Sequence, residues 1–154
     1  MLILLLIFWA VISEMVTRMG GRNKKTITIR AEGDIVLVRK EIRDASNEAG
    51  FGSTDVTRIV TAVSELARNI FKYAGAGEVC FYHDNSGGKT GISIYFVDEG
   101  PGIADLELAV QPGFSTGKGL GMGLSGSKRL MDSFEIESQV GKGTTVKVSK
   151  WLNQ

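Results

Sequence analysis

Between residues 100 and 126 glycine recurs far more often than elsewhere: eight of the chain's 20 glycines fall in this stretch. Backbone stripped of side chains suits close approach, either to a ligand or to another piece of chain. The overall count, 20 glycines in 154 residues, is roughly twice the usual share of about 7%. Proline stands at only 2, which excludes collagen-like and proline-rich disordered chains. With 43% apolar and 23% charged residues, there is material for one globular domain and little for a second. A formal charge of +1 offers no broad basic face and argues against nucleic acid as a partner. The single cysteine, Cys80, can form neither an internal disulfide nor a thiolate zinc site, in keeping with a cytoplasmic location.

Residues 1–12 are an unbroken apolar run. A membrane span needs roughly 20 such residues, and a secretory signal needs basic residues before the run and a small-residue cleavage site after it. The run meets neither requirement. Three readings stay open: a start placed too early, with Met15 or Met19 the true first residue; a membrane-associating leader followed by Arg18, Arg22, Lys24 and Lys25; or a segment packed in an interface. Residues 1–23 are therefore set apart from a domain covering 24–154, and membrane contact is expected only if the 1–12 segment is genuine.

From residue 24 the pattern becomes regular. Residues 26–30 alternate as a strand. Ile35, Val38, Ile42, Ala45 and Ala49 recur every three or four residues and predict a helix ending at Gly50. Ser53 or Thr54 is expected to cap a second helix carrying Val56, Ile59, Val60, Val63, Leu66, Ile70 and Phe71 and ending near Gly75. Strands over 78–83 and 92–97 flank a glycine-rich hairpin connection. A short helix over 105–110, a loop over 111–119, a third main helix over 120–131 and a hairpin of strands over 134–138 and 144–151 complete the pattern. The predicted fold is an α/β (α+β) two-layer sandwich: a mixed, largely antiparallel sheet with helices on one face.

Three places carry chemistry. Glu65 and Asn69 lie one helical turn apart and off the apolar stripe, so a carboxylate and an amide oxygen share one helix edge. That pair suits a base and a hard-cation ligand, or equally a solvated face beside Arg58, Arg68 and Lys72. Asp98 ends an apolar strand, with Gly100 and Gly102 following; a ring amine could donate to the carboxylate while a flat ligand lies on bare backbone, or the segment is a tight turn. Finally, residues 113–126 run glycine after glycine into a helix, where backbone N–H groups can meet phosphates. This is no P-loop, being one residue short between Gly113 and Lys118 and lacking Ser or Thr after the lysine. Gly121, Gly123 and Gly126 match G-x-G-x-x-G, but late in the chain and after a loop, where a dinucleotide fingerprint does not belong.

In combination, order and spacing single out one family. Glu65-x-x-x-Asn69, then Asp98-x-Gly100-x-Gly102, then Gly119-x-Gly121-x-Gly123, then Gly143-Thr144-Thr145 resemble the motifs of the GHKL ATPases, whose histidine-kinase-like architecture is the Bergerat fold. The resemblance covers residues 24–152 and is strongest to the small anti-sigma-factor serine kinases, in particular the stressosome switch kinases. It is carried by SELARNIFKYAG (64–75), DEGPGI (98–103), GFST (113–116), GLGMGL (119–124), KRLMD (128–132), GTT (143–145) and KWL (150–152). The apolar leader departs from the family pattern, and Lys118 has no assigned role.

The resemblance implies ATP and Mg²⁺ as cofactors. Asn69 would hold Mg²⁺, and Glu65 would take the proton of a substrate serine. Asp98 would accept from the adenine amino group with Thr145 in support, and Gly100 and Gly102 would border the ring. Gly119, Leu120, Gly121, Met122 and Gly123 would meet the phosphates beneath a lid over 111–118. Arg68 is read as a helix-face salt bridge, with phosphate or partner contact as the alternative. His83 is read as a surface residue, not a phosphoacceptor. The implied function is a protein-serine/threonine kinase of a partner-switching pathway. Its substrates would be STAS-domain antagonist proteins, and a downstream activator, a phosphatase or a sigma-pathway protein, would be its other partner. The alternatives are an anti-sigma factor kinase that binds a sigma factor directly, and an ATP-gated binding module without catalysis.

Overall fold

The inward positions of the first helix, Ile35, Val38, Ile42, Ala45 and Ser46, are all buried, as a stripe spaced by three and four requires. The computed structural model describes residues 10, 14, 23–113 and 123–153. Its elements are β1 (Lys25–Ile29), α1 (Glu32–Ala49), α2 (Ser53–Asn69), a π-helical turn (Ile70–Ala74), β2 (Gly77–Asp84), a 3-10 turn (Ser86–Gly88), β3 (Gly91–Asp98), α3 (Leu106–Ala109), α4 (Gly123–Leu130), β4 (Ser133–Gln139) and β5 (Gly143–Trp151).

The five strands form one sheet in the order β1-β2-β3-β5-β4, and all four pairings are antiparallel. The predicted sandwich forms, with its sheet antiparallel throughout the described residues. Period-two alternation splits each central strand between two environments. Val79, Phe81, Ile92, Ile94, Phe96, Val146 and Val148 join the helices in the main core. Cys80, Tyr82 and Tyr95 form a second cluster, with Val97 packed against it. Packed against both α1 and α4, α2 is the central helix. Its Ile59, Val63 and Leu66 are almost completely buried, so a Leu66→Ala truncation would cost about 2–5 kcal/mol.

The helix starts differ from expectation. Gly52, not Ser53 or Thr54, occupies the cap of α2, and no side chain caps it; Ser53 is already helical. At α1 the capping is done from inside the helix. The Asp34 carboxylate accepts from the backbone N–H groups of Arg30 and Ala31 at 2.9 Å each, bonds that hold its pKa below the usual carboxylate value. The third main helix, expected over 120–131, is described over Gly123–Leu130; residues 120–122 lie outside the described residues.

The KRLMD and KWL segments meet in a knot of charge. Lys150, only 9% exposed, reaches Asp132 at 3.1 Å and Asp55 at 3.8 Å, while Asp132 also accepts from the Trp151 N–H at 2.8 Å. Arg58 bonds Asp55 at 3.0 Å. A buried ammonium needs such partners, because leaving one unpaired costs several kcal/mol. The knot ties the start of α2 to the end of β5, which fixes α2 on the sheet.

Candidate nucleotide and phosphoryl-transfer site

α2 brings Glu65 and Asn69 to one edge near its C-terminal end, both half-buried. Arg68 bonds Glu65, Nη1 to Oε1, at 2.6 Å, which is the salt bridge expected from the sequence. Directly after Asn69 the backbone widens into the π turn, a distortion that recurs at functional sites. The turn delivers Ala74 to the loop that follows β3. A Cβ built on Gly100 would stand 2.7 Å from that of Ala74, so only glycine lets the two segments touch. The first and second chemical places of the sequence are thereby joined.

Asp98 ends β3 in a row that crosses the sheet: Gly77, Asp98, Thr144 and Ser138 stand opposite one another in turn. Its Oδ1 accepts from the Gly100 N–H at 2.9 Å, and the Thr144 backbone also donates to the carboxylate. Burial outweighs these two bonds and pushes the Asp98 carboxyl above its usual pKa. A half-buried carboxylate with acceptor capacity to spare among the described residues suits a ring amine as donor. Thr145, expected to support Asp98, stands opposite Val97 and Glu137 instead, and Thr144 takes the position facing the carboxylate. A one-residue offset along a strand exchanges the two faces.

Ser138 was missed by sequence reasoning and is a hub. Its hydroxyl accepts from the Ile103 N–H at 2.8 Å, lies 2.8 Å from the Thr144 Oγ1 and donates to the Gly143 carbonyl at 3.1 Å. The Gly141 N–H adds a bond to the Pro101 carbonyl at 2.8 Å. These bonds clamp residues 100–103 onto the β4–β5 hairpin. Gly102, with φ of +75°, and Gly143, with φ of +137°, make the clamp possible: a side chain at either would run into backbone, of Gln139 and of Asp98 respectively. Part of the glycine demand thus comes from chain meeting chain. The only hint in the sequence was the run of hydroxyl residues at the facing strand ends.

Gly123 begins α4 and its carbonyl accepts from Ser127 Oγ at 3.0 Å. Gly119, Leu120, Gly121 and Met122, together with the lid residues 114–118, lie outside the described residues. His83 is a half-buried member of β2, opposite Ile92. No described helix is long and apolar enough to cross a membrane.

Comparison with known proteins identifies the family. Residues 54–154 match the family model of the histidine kinase-, DNA gyrase B-, and HSP90-like ATPases. The serine/threonine-protein kinase RsbT of Bacillus subtilis is 46% identical over 130 residues, covering 84% of this chain and 98% of that protein. An anti-sigma F factor of Caldanaerobacter subterraneus is 36% identical over 109 residues, 65% of this chain and 73% of that one. Among solved structures, the RsbU and RsbW domains of a Mycobacterium tuberculosis protein superpose with a TM-score of 0.57 at 19% identity, which speaks for the fold alone. That likeness covers 82% of this chain, which spans only 32% of the solved one. The chain therefore belongs to the histidine kinase-, DNA gyrase B-, and HSP90-like (GHKL) ATPase family, in its branch of serine/threonine-protein kinases.

Proposed function

We propose that this chain phosphorylates serine or threonine on STAS-domain antagonist proteins in a partner-switching, stressosome-type stress response, with ATP as donor and Mg²⁺ as counter-ion. The observation that carries the reading is Glu65 one turn before Asn69, on the helix whose continuation touches the Asp98 loop. A pure nucleotide binder has no use for a base at that edge.

The residues present fit both groups. Asn69 offers a hard amide oxygen, and Mg²⁺ takes few protein ligands and most of its shell from phosphates and water. When bound, the ion neutralises phosphate charge. Asp98 would accept from the adenine amine, and Gly100 and Gly102 would border the ring. Gly119, Leu120, Gly121, Met122 and Gly123 would supply backbone N–H groups to the phosphates. Glu65 removes the proton of the substrate hydroxyl as the new O–P bond forms and the bond to the ADP oxygen breaks, the electron pair leaving with ADP. Phosphoryl transfer needs mainly positioning and charge neutralisation, so this small set of groups suffices.

Incubation of the full chain with labelled ATP, Mg²⁺ and a STAS-domain protein tests the reading. Phosphoserine or phosphothreonine should form with the natural chain and vanish with Glu65→Gln while ATP still binds. Unchanged transfer in that variant would remove Glu65 as the base. ATP binding without transfer to any STAS protein would favour the non-catalytic module.

A second reading, direct binding of a sigma factor, is favoured by the 36% identity to an anti-sigma F factor. ATP-dependent co-elution of this chain with a sigma factor would support it.

A further inference from the structure

We propose that Arg68 is a latch on Glu65, released when an acidic side chain beside the acceptor serine of the protein substrate takes over its guanidinium. The inference rests on Glu65 as the proton acceptor and adds what controls it. Arg68 Nη1 stands 2.6 Å from Glu65 Oε1, a charge-assisted bond at its shortest range. A carboxylate held this way has one acceptor oxygen occupied, so a substrate hydroxyl that needs that oxygen must first displace the guanidinium. The two side chains differ in setting: Glu65 is 17% exposed and Arg68 53%. Arg68 lies on the solvent side of the base, the side from which a protein hydroxyl must arrive.

Exposed ion pairs are worth about 0–1 kcal/mol, so a docked carboxylate can exchange for Glu65 at little cost. Asn69 follows Arg68 directly and, like Glu65, is half-buried, so the helix edge presents two inward functional groups with the guanidinium outside them. In the latched state the guanidinium occupies the Glu65 oxygen that would otherwise accept a proton from water. Hydrolysis would need the water oxygen to bond the γ-phosphorus, its proton to pass to Glu65, and ADP to leave with the electron pair of the broken bond. A kinase that waits for its partner gains from suppressing that reaction.

The test compares the full chain with Arg68→Ala, Arg68→Lys, Glu65→Gln and the double variant Arg68→Ala/Glu65→Gln. Two rates are read: phosphate release from ATP without protein substrate, and phosphoryl transfer to a STAS-domain protein. Arg68→Ala should hydrolyse ATP up to about fivefold faster and transfer about fivefold more slowly, a split that loss of structure would not produce. Arg68→Lys, which keeps the charge, should stay within about threefold of the natural chain on both counts. With Glu65→Gln in place, Arg68→Ala should give no rise in hydrolysis. Unchanged or slower hydrolysis in Arg68→Ala, or an equal rise in the double variant, would overturn the latch. If the natural chain transfers phosphate to no STAS protein, the kinase reading fails, and the hydrolysis arm still decides the latch by itself.

Discussion

Asp84 and Asp98 close the β2–β3 ladder at its two ends, each opposite a glycine: Asp84 faces Gly91 and Asp98 faces Gly77. In sequence they look alike, an aspartate ending an apolar strand before a glycine-containing turn. Their surroundings separate them. Asp84, 4% exposed, accepts from the Ser86 hydroxyl, from the Ser86 N–H at 2.9 Å and from the Ser93 hydroxyl at 2.6 Å, with Ser149 extending the chain at 2.7 Å. Burial by itself would raise its pKa, but these donors together hold it below the usual value. Among the described residues Asp98 has backbone donors alone, and there burial prevails. A buried acid supplied with donors is a strut, whereas a half-buried one with spare acceptor capacity beside a bare loop suits the adenine role proposed for it.

The sharpest way to break this comparison is Asp98→Asn. The amide would turn a donor toward the adenine amine, and ATP affinity should fall at least about 100-fold by calorimetric titration, without loss of melting temperature. Affinity within threefold of the natural chain would refute the adenine assignment. Asp84→Ala should do the reverse. It strands three donors and should lower unfolding free energy by about 2–4 kcal/mol in urea titration, with ATP affinity nearly unchanged.

The two acids also oppose each other in pH dependence. For Asp84, whose folded pKa is depressed, the stabilisation is present above the usual carboxylate pKa and is lost as pH falls through the lowered value. For Asp98, whose folded pKa is raised, stability is greatest at low pH and is lost as pH rises from the usual value through the raised one. Urea titrations between pH 7 and pH 3 should therefore show Asp98→Asn at its largest advantage over the natural chain at pH 7, with the advantage gone at the acid end. The same advantage at every pH would show that Asp98 does not titrate as described. The smallest effect belongs to the clamp: Ser138→Ala removes the acceptor of the Ile103 N–H and should raise the KM for ATP about fivefold, near 1 kcal/mol. An unchanged KM would mean the loop holds its shape without Ser138.

Much of this was legible before the fold was known. Helix and strand positions followed from periods of 3.6 and 2, and the Glu65–Asn69 pair from a spacing that is local to one helix. The row Gly77, Asp98, Thr144 and Ser138 was not legible, because its members come from four different strands and are brought together by strand register alone. The offset between Thr144 and Thr145 has the same origin. Motif order places a Gly-Thr-Thr near an Asp, but only pairing tells which threonine faces it.

The sequence by itself determined the layers, the helix edge carrying Glu65 and Asn69, and the family, since all of these are written in local periodicity and motif spacing. The tertiary structure decided which of two similar aspartates is saturated with donors and which keeps acceptor capacity to spare, and why Gly102 and Gly143 must be glycine. It also showed that Arg68 holds the proposed base. Burial, register and backbone clearance arise only when distant segments meet, and those quantities set pKa, donor supply and access.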